Sequence, residues 1–226
     1  METVEYAAGR SAAVFGDPSQ PTVLIWHGKQ ADASAAVRPL AELVSGHGVA
    51  VVVPDWNSHA DDGGRADLLQ SVQFARDRGG DRGGLVLVGW SLGGVAAAGL
   101  TIHASRLNVG LAHTVCLAGA FMAPDPISGR HLPSELPREN GCPPFTLLHG
   151  VSDDVVPVSQ SRAFASTLER NEWPVELVEL AADHGSIAGA VYDPVADRYS
   201  PADDPDTLAV AADVAVRIAA VCIRRT

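Results

Sequence analysis

Short runs of consecutive apolar residues, many of them β-branched, recur along the chain at 22–26, 49–54, 85–88, 111–117, 145–148 and 175–180. A strand with one wet face alternates apolar and polar positions, whereas a strand covered on both faces reads as an unbroken apolar run. These runs therefore predict a buried parallel sheet. Between them, apolar residues return at helical spacing over 33–45, 65–78, 94–107 and 158–170, the first two segments stopping at Gly46 and Gly79, and a last helix is predicted over 205–221. Strands and helices in alternation predict an α/β domain, a mostly parallel central sheet flanked by helices through right-handed crossovers. Ahead of it, 4–7 and 11–15 flank Ala8-Gly9-Arg10 and predict an antiparallel hairpin on the sheet edge.

A length of 226 residues suits one domain with a substantial core, and 46% hydrophobic against 19% charged residues is a globular balance. The net charge of −11 repels phosphate backbones, so no nucleic-acid partner is expected. No apolar stretch approaches the ~20 residues that span a bilayer and the N-terminus lacks a leader pattern, so no membrane partner is expected and the cytoplasm is the expected location. Cys116, Cys142 and Cys222 are an odd set without metal-ligand spacing and imply no disulfide framework.

Candidate chemistry centres on Gly89-Trp90-Ser91-Leu92-Gly93, a G-x-S-x-G pattern. The pentapeptide says little alone, but here a predicted strand runs into it and a helix rich in small residues runs out. A turn that sharp strains the backbone, needs glycines for close packing and lifts the serine hydroxyl clear of the sheet. A serine hydroxyl is a poor nucleophile at neutral pH, so a base must take its proton and a third group must hold that base. His184, in Ala182-Asp183-His184-Gly185 just past the strand 175–180, is the candidate base. An acid is offered after the strand 145–148, in His149-Gly150-Val151-Ser152-Asp153-Asp154-Val155-Val156-Pro157. Ligands bind at the carboxyl ends of strands in an open α/β sheet, where all these segments fall.

The order serine, aspartate, histidine, each just after a strand, resembles the α/β-hydrolase superfamily over nearly the whole chain. The resemblance implies that the acid is the aspartate four positions before the proline, Asp153, with Asp154 as the competitor; Asp125 and Asp183 are weaker choices. Trp26-His27-Gly28-Lys29-Gln30 resembles the family's oxyanion loop, which implies backbone N–H donors at Lys29 and Leu92. His27 and His149 then read as structural histidines, and Trp26 and Trp90 as packing residues. His59 with Asp61 and Asp62 lacks further ligands, so no metal is expected, and the chemistry needs no cofactor.

Family members often carry a lid between the strand before the acid and the acid strand itself. Here that interval, 118–144, holds five prolines between Pro124 and Pro143 and little helical spacing. It predicts a short irregular cover, with Phe121 and Met122 placed to line an acyl pocket. Size and layout resemble the small dienelactone-hydrolase and carboxylesterase branch, although those dienelactone hydrolases use cysteine where this chain has Ser91. The expected activity is hydrolysis of small or medium carboxylic esters through an acyl-enzyme. A thioesterase, amidase or peptidase would share the machinery, and a non-catalytic binding protein would share the fold.

Overall fold

A computed structural model describes residues 1–79, 84–137 and 142–223. Its centre is an eight-stranded sheet of β1 (Glu2–Ala7), β2 (Arg10–Phe15), β3 (Thr22–Trp26), β4 (Ala50–Pro54), β5 (Leu85–Trp90), β6 (Leu111–Leu117), β7 (Phe145–Gly150) and β8 (Val175–Leu180), in the spatial order β1-β2-β4-β3-β5-β6-β7-β8. The β1–β2 and β2–β4 pairs are antiparallel and every pair from β4 to β8 is parallel.

The unbroken apolar runs have the predicted cause: both faces are covered. Successive side chains of a strand point to opposite faces. From β3, Val23 and Ile25 join a core with Leu40, Val44, Val214 and Ile218, beneath α1 (Arg38–Ser45) and α5 (Pro205–Ile223). Leu24 and Trp26 point the other way, into a core with Leu68, Val72 and Leu100 under α2 (Arg65–Gly79) and α3 (Leu92–Ile102). A third cluster packs Phe145 and Leu147 against Phe164 and Leu168 of α4 (Ser159–Arg170). Each fully buried Val, Leu or Phe contributes roughly 1.5–3 kcal/mol, so double-sided burial outweighs any local preference of the central strands. At the sheet edge, β8 is only half-buried and exposes Glu176 and Glu179.

Two helices differ from the sequence expectation. The segment 33–45 divides into a 3-10 turn, Ser34–Val37, followed by α1, because Pro39 lacks an N–H and its ring clashes with a preceding carbonyl; proline is accommodated only in the first turn. The helix expected at 94–107 starts directly after Ser91, ends at Ile102 and dissolves into turns closed by Asn108 at φ +53°. One element was not anticipated, a separate antiparallel hairpin of β9 (Ala190–Asp193) and β10 (Arg198–Pro201). Its strands are four residues long and contain Pro201, too short and interrupted to show alternation. The interval 118–137 has no regular helix or strand beyond an isolated Asp125–Arg130 bridge.

Candidate active site

Ser91 sits between the end of β5 and the start of α3 with φ +56° and ψ −117°, a conformation L-residues rarely adopt. Strain of this kind persists only where the surroundings impose it. Here the Ser91 N–H is tied to the Leu117 carbonyl at 2.9 Å, and its own carbonyl accepts from Gly94 and Ala120 at 3.0 Å each. The flanking glycines are demanded by close approach: a Cβ at Gly89 would lie 2.0 Å from the Gly93 carbonyl oxygen, and one at Gly93 would lie 2.4 Å from that of His27. Helix α3 can therefore press against β3 and β5 with its N-terminus at the serine.

His184 and Asp153 meet from two loops at the carboxyl end of the sheet. The His184 Nδ1 is 2.8 Å from Asp153 Oδ2, both side chains are shielded from solvent, and because a carboxylate only accepts, Nδ1 carries the hydrogen. Nε2 is thereby left to receive a proton from a neighbour. Asp153 Oδ1 accepts the N–H groups of Val155 (2.9 Å) and Val156 (2.8 Å). The other carboxylates have different work. Asp125 is buried and binds Ile127 and Ser128, Asp183 accepts from Gly185 and Ser186, and Asp154 makes no hydrogen bond among the described residues.

His149, read from the sequence as a structural histidine, lies against Asp153. Its buried Nε2 lies 2.8 Å from the Val156 carbonyl, which fixes a hydrogen there, and 3.3 Å from Asp153 Oδ2; Nδ1 meets the Ser161 hydroxyl at 2.7 Å. One carboxylate oxygen thus faces two histidines. Burial alone raises the Asp153 pKa, but hydrogen bonds from His149, His184 and the Val156 N–H outweigh it and hold the carboxyl well below the usual carboxylate range. The sequence signal for His149 was its place four residues before Asp153 on the same strand end, which marks proximity but not direction.

On the other side of the serine, Gly28 approaches so closely that a Cβ there would lie 3.2 Å from Ser91 Cβ. The next residue, Lys29, and Leu92 both line the cleft that holds Ser91 and His184. Among the described residues no protein acceptor takes the N–H of either, and Leu92 is in the first helical turn, where amides lack intrahelical partners. The loop is braced by His27, which is fully buried and stacked on Trp56 at 5.2 Å. Its Nδ1 faces the Gly28 carbonyl at 2.9 Å, while Nε2 accepts N–H groups from Ala33 and Trp56 at 3.3 Å each. Burial pushes this imidazole down to about 4, opposed in part by its bond to the Gly28 carbonyl. Between an ordinary ~6.5 and that value the unfolded chain binds a proton that the fold refuses, so stability falls as pH drops. His27→Gln should shrink the loss of unfolding free energy between pH 7 and pH 4.5 by about 2 kcal/mol, read by urea denaturation.

The cleft itself measures about 770 Å³, within the range of small-molecule sites. Met122 and Val155 give it apolar walls, and Tyr192 and Tyr199 of the β9–β10 hairpin line it as well. Much of its cover therefore comes from the segment after His184. Met122 lines the cleft, whereas Phe121 does not: its ring stacks on Phe164 at 4.3 Å and packs into the α4 core. Trp90 ties this wall together by donating Nε1–H to the His184 carbonyl at 2.8 Å and meeting the Tyr199 ring edge-on at 4.9 Å. Trp90→Phe leaves that buried carbonyl unpaired and should cost about 1–3 kcal/mol in urea unfolding.

The family model described as the α/β-hydrolase family matches residues 23–224. A search of curated proteins gives no match. Among solved structures, propionate-bound esterase 2 of the planctomycete Thermogutta terrifontis is 18% identical, with 96% of this chain and 94% of that one covered and a TM-score of 0.67. A Lactobacillus plantarum protein described as a carboxylesterase is 19% identical over 83% of this chain and 88% of its own, with a TM-score of 0.63. At such identity these neighbours share the fold. The family model spans the sheet from β3 through α5, including the strained serine turn and both loops that carry the buried carboxylate–histidine pair, and the chain belongs to the α/β-hydrolase family.

Proposed function

We propose that the protein hydrolyses small or medium carboxylic esters through an acyl-enzyme on Ser91. The observation that carries this reading is the buried Asp153–His184 bond in a cleft shared with the strained Ser91 and two unengaged backbone N–H groups. In the proposed mechanism His184 Nε2 takes the Ser91 proton as Oγ attacks the ester carbonyl. Asp153, kept ionised by its hydrogen bonds, stabilises the imidazolium and holds its Nδ1–H in place. The Lys29 and Leu92 N–H groups receive the oxyanion, with α3's positive end behind it. His184 then protonates the departing alcohol, and water repeats the sequence to free the acid.

The cleft's volume and its apolar rim of Met122 and Val155 support a small or medium substrate. Propionate and butyrate are the acids named with the Thermogutta esterase, in line with that size. Hydrolysis of p-nitrophenyl esters from acetate to decanoate tests the reading, together with covalent labelling by a fluorophosphonate. Turnover is expected to peak at short chains, with the adduct on Ser91. Absence of turnover on every ester, or a labelled protein without an adduct at Ser91, would overturn it.

A further inference from the structure

A second cavity, of about 440 Å³, opens where the start of α2, the turn after α3 and residues 127–133 meet, and it shares no lining residue with the ester cleft. Arg65, His103, Arg106, Arg130 and His131 line it, and among the described residues no Asp or Glu does. That is a reversal of sign in a chain with 27 acidic and 16 basic residues. Elsewhere Arg10, Arg38, Arg78, Arg162 and Arg217 form ion pairs, while among the described residues Arg76, Arg170 and Arg198 form none and stand singly, not grouped around one cavity. Among the described residues Arg65, Arg106 and Arg130 form none. The Arg65 Nε donates to the Ile127 carbonyl at 2.9 Å, which anchors the side chain and leaves its terminal nitrogens for another acceptor.

Two neighbouring acids, Asp125 and Asp62, are otherwise engaged. Asp125 is buried, its carboxylate held by the Ile127 and Ser128 N–H groups and the Ser128 hydroxyl. Asp62, whose carboxyl is lowered first by the Ala66 N–H and more weakly by Arg65, accepts from Gly64 and Ala66 at the head of α2. A helix dipole favours cations at a C-terminus, which accounts for His103 and Arg106 after α3. It opposes Arg65, which stands at the positive end of α2, and it does not reach Arg130 or His131 on their loop.

We propose that this cavity is an accessory site for a phosphate group, either free phosphate or the phosphate of a small metabolite. Guanidinium forks match phosphate oxygens bidentately, and three of them around one cavity supply the charge that a dianion requires. The volume lies in the range of small-ligand pockets and leaves room for a small organic group beside the phosphate.

Calorimetric titration at low salt with inorganic phosphate and with glucose 6-phosphate tests this, using wild type, Arg106→Ser/Arg130→Ser, Arg106→Ser alone, and protein whose Ser91 is blocked by a fluorophosphonate. Saturable binding is expected, at least about tenfold weaker in the double variant, intermediate in the single one and unchanged in the blocked protein. Circular dichroism verifies that each variant is folded. Tighter binding of glucose 6-phosphate supports a phosphorylated metabolite, and equal or tighter inorganic phosphate supports the free ion. No saturable binding, binding unmoved in folded arginine variants, or binding lost on blocking Ser91 would overturn the proposal.

Discussion

Ser91→Ala should lower kcat for a short p-nitrophenyl ester by about 10⁵- to 10⁶-fold while the protein stays folded. The residual rate would come from the oxyanion donors and from substrate binding, which the substitution leaves in place. The fold should survive because Ala, like Ser, carries a Cβ, so it meets the same strained φ of +56° and the same neighbour at Gly28. No hydrogen bond of the serine hydroxyl to the protein appears among the described residues, so its loss leaves no orphaned partner. Purified side by side with wild type and compared in a burst experiment, the variant should show no burst and only that residual steady-state rate. Activity within tenfold of wild type would place the nucleophile elsewhere.

Asp153→Asn should reduce kcat by about 10⁴-fold, and the hydrogen bonds dictate why. One carboxylate oxygen accepts from Val155 and Val156, the other from His184 and His149. Asparagine has one acceptor and one donor end. The two backbone N–H groups cannot rotate away, so they claim the carbonyl oxygen and turn the NH₂ toward the histidines. His184 must then present an unprotonated Nδ1 and carry its hydrogen on Nε2, the tautomer that cannot take a proton from Ser91. Asp154→Asn breaks no such bond and should stay within a few-fold of wild type. If Asp154→Asn instead shows the large loss, the acid has been misassigned.

The same carboxylate has a stability signature. Because its pKa is depressed in the fold, its contribution is fully present above the unfolded ~3.9 and is lost as pH falls through the lower folded value. Wild type should therefore exceed Asp153→Asn in unfolding free energy at pH 7, and the gap should narrow toward pH 3. A constant gap would mean that the variant fails for packing reasons.

The sheet and its helices were legible because burial leaves a periodic record: unbroken apolar runs for β3 to β7 and helical spacing for α2 and α4. The serine turn was legible as well, since Gly89 and Gly93 mark approaches of backbone on backbone that no side chain permits. Pro39 carried the information that the first helix starts late, but its effect depends on which turn it occupies, and the apolar spacing masked it.

Other features depend on how loops cross in space, and local pattern does not encode that. Asp153 and Asp154 are adjacent and chemically alike, and the loop path alone turns one toward His184. Phe121 and Met122 are adjacent too, and which one faces the cleft is decided by the space beside Phe164. The β9–β10 wall, the second histidine on Asp153 and the arginine cavity are assembled from segments far apart in the chain, the last from residues 65, 103–107 and 127–133. By itself the sequence determined the layers, the serine turn and the order of the candidate groups, because these follow from burial and backbone sterics within a few residues. Only the tertiary structure decided which carboxylate meets which imidazole and where positive charge accumulates, because interactions between side chains fall off within a few ångströms and depend on where the loops bring them.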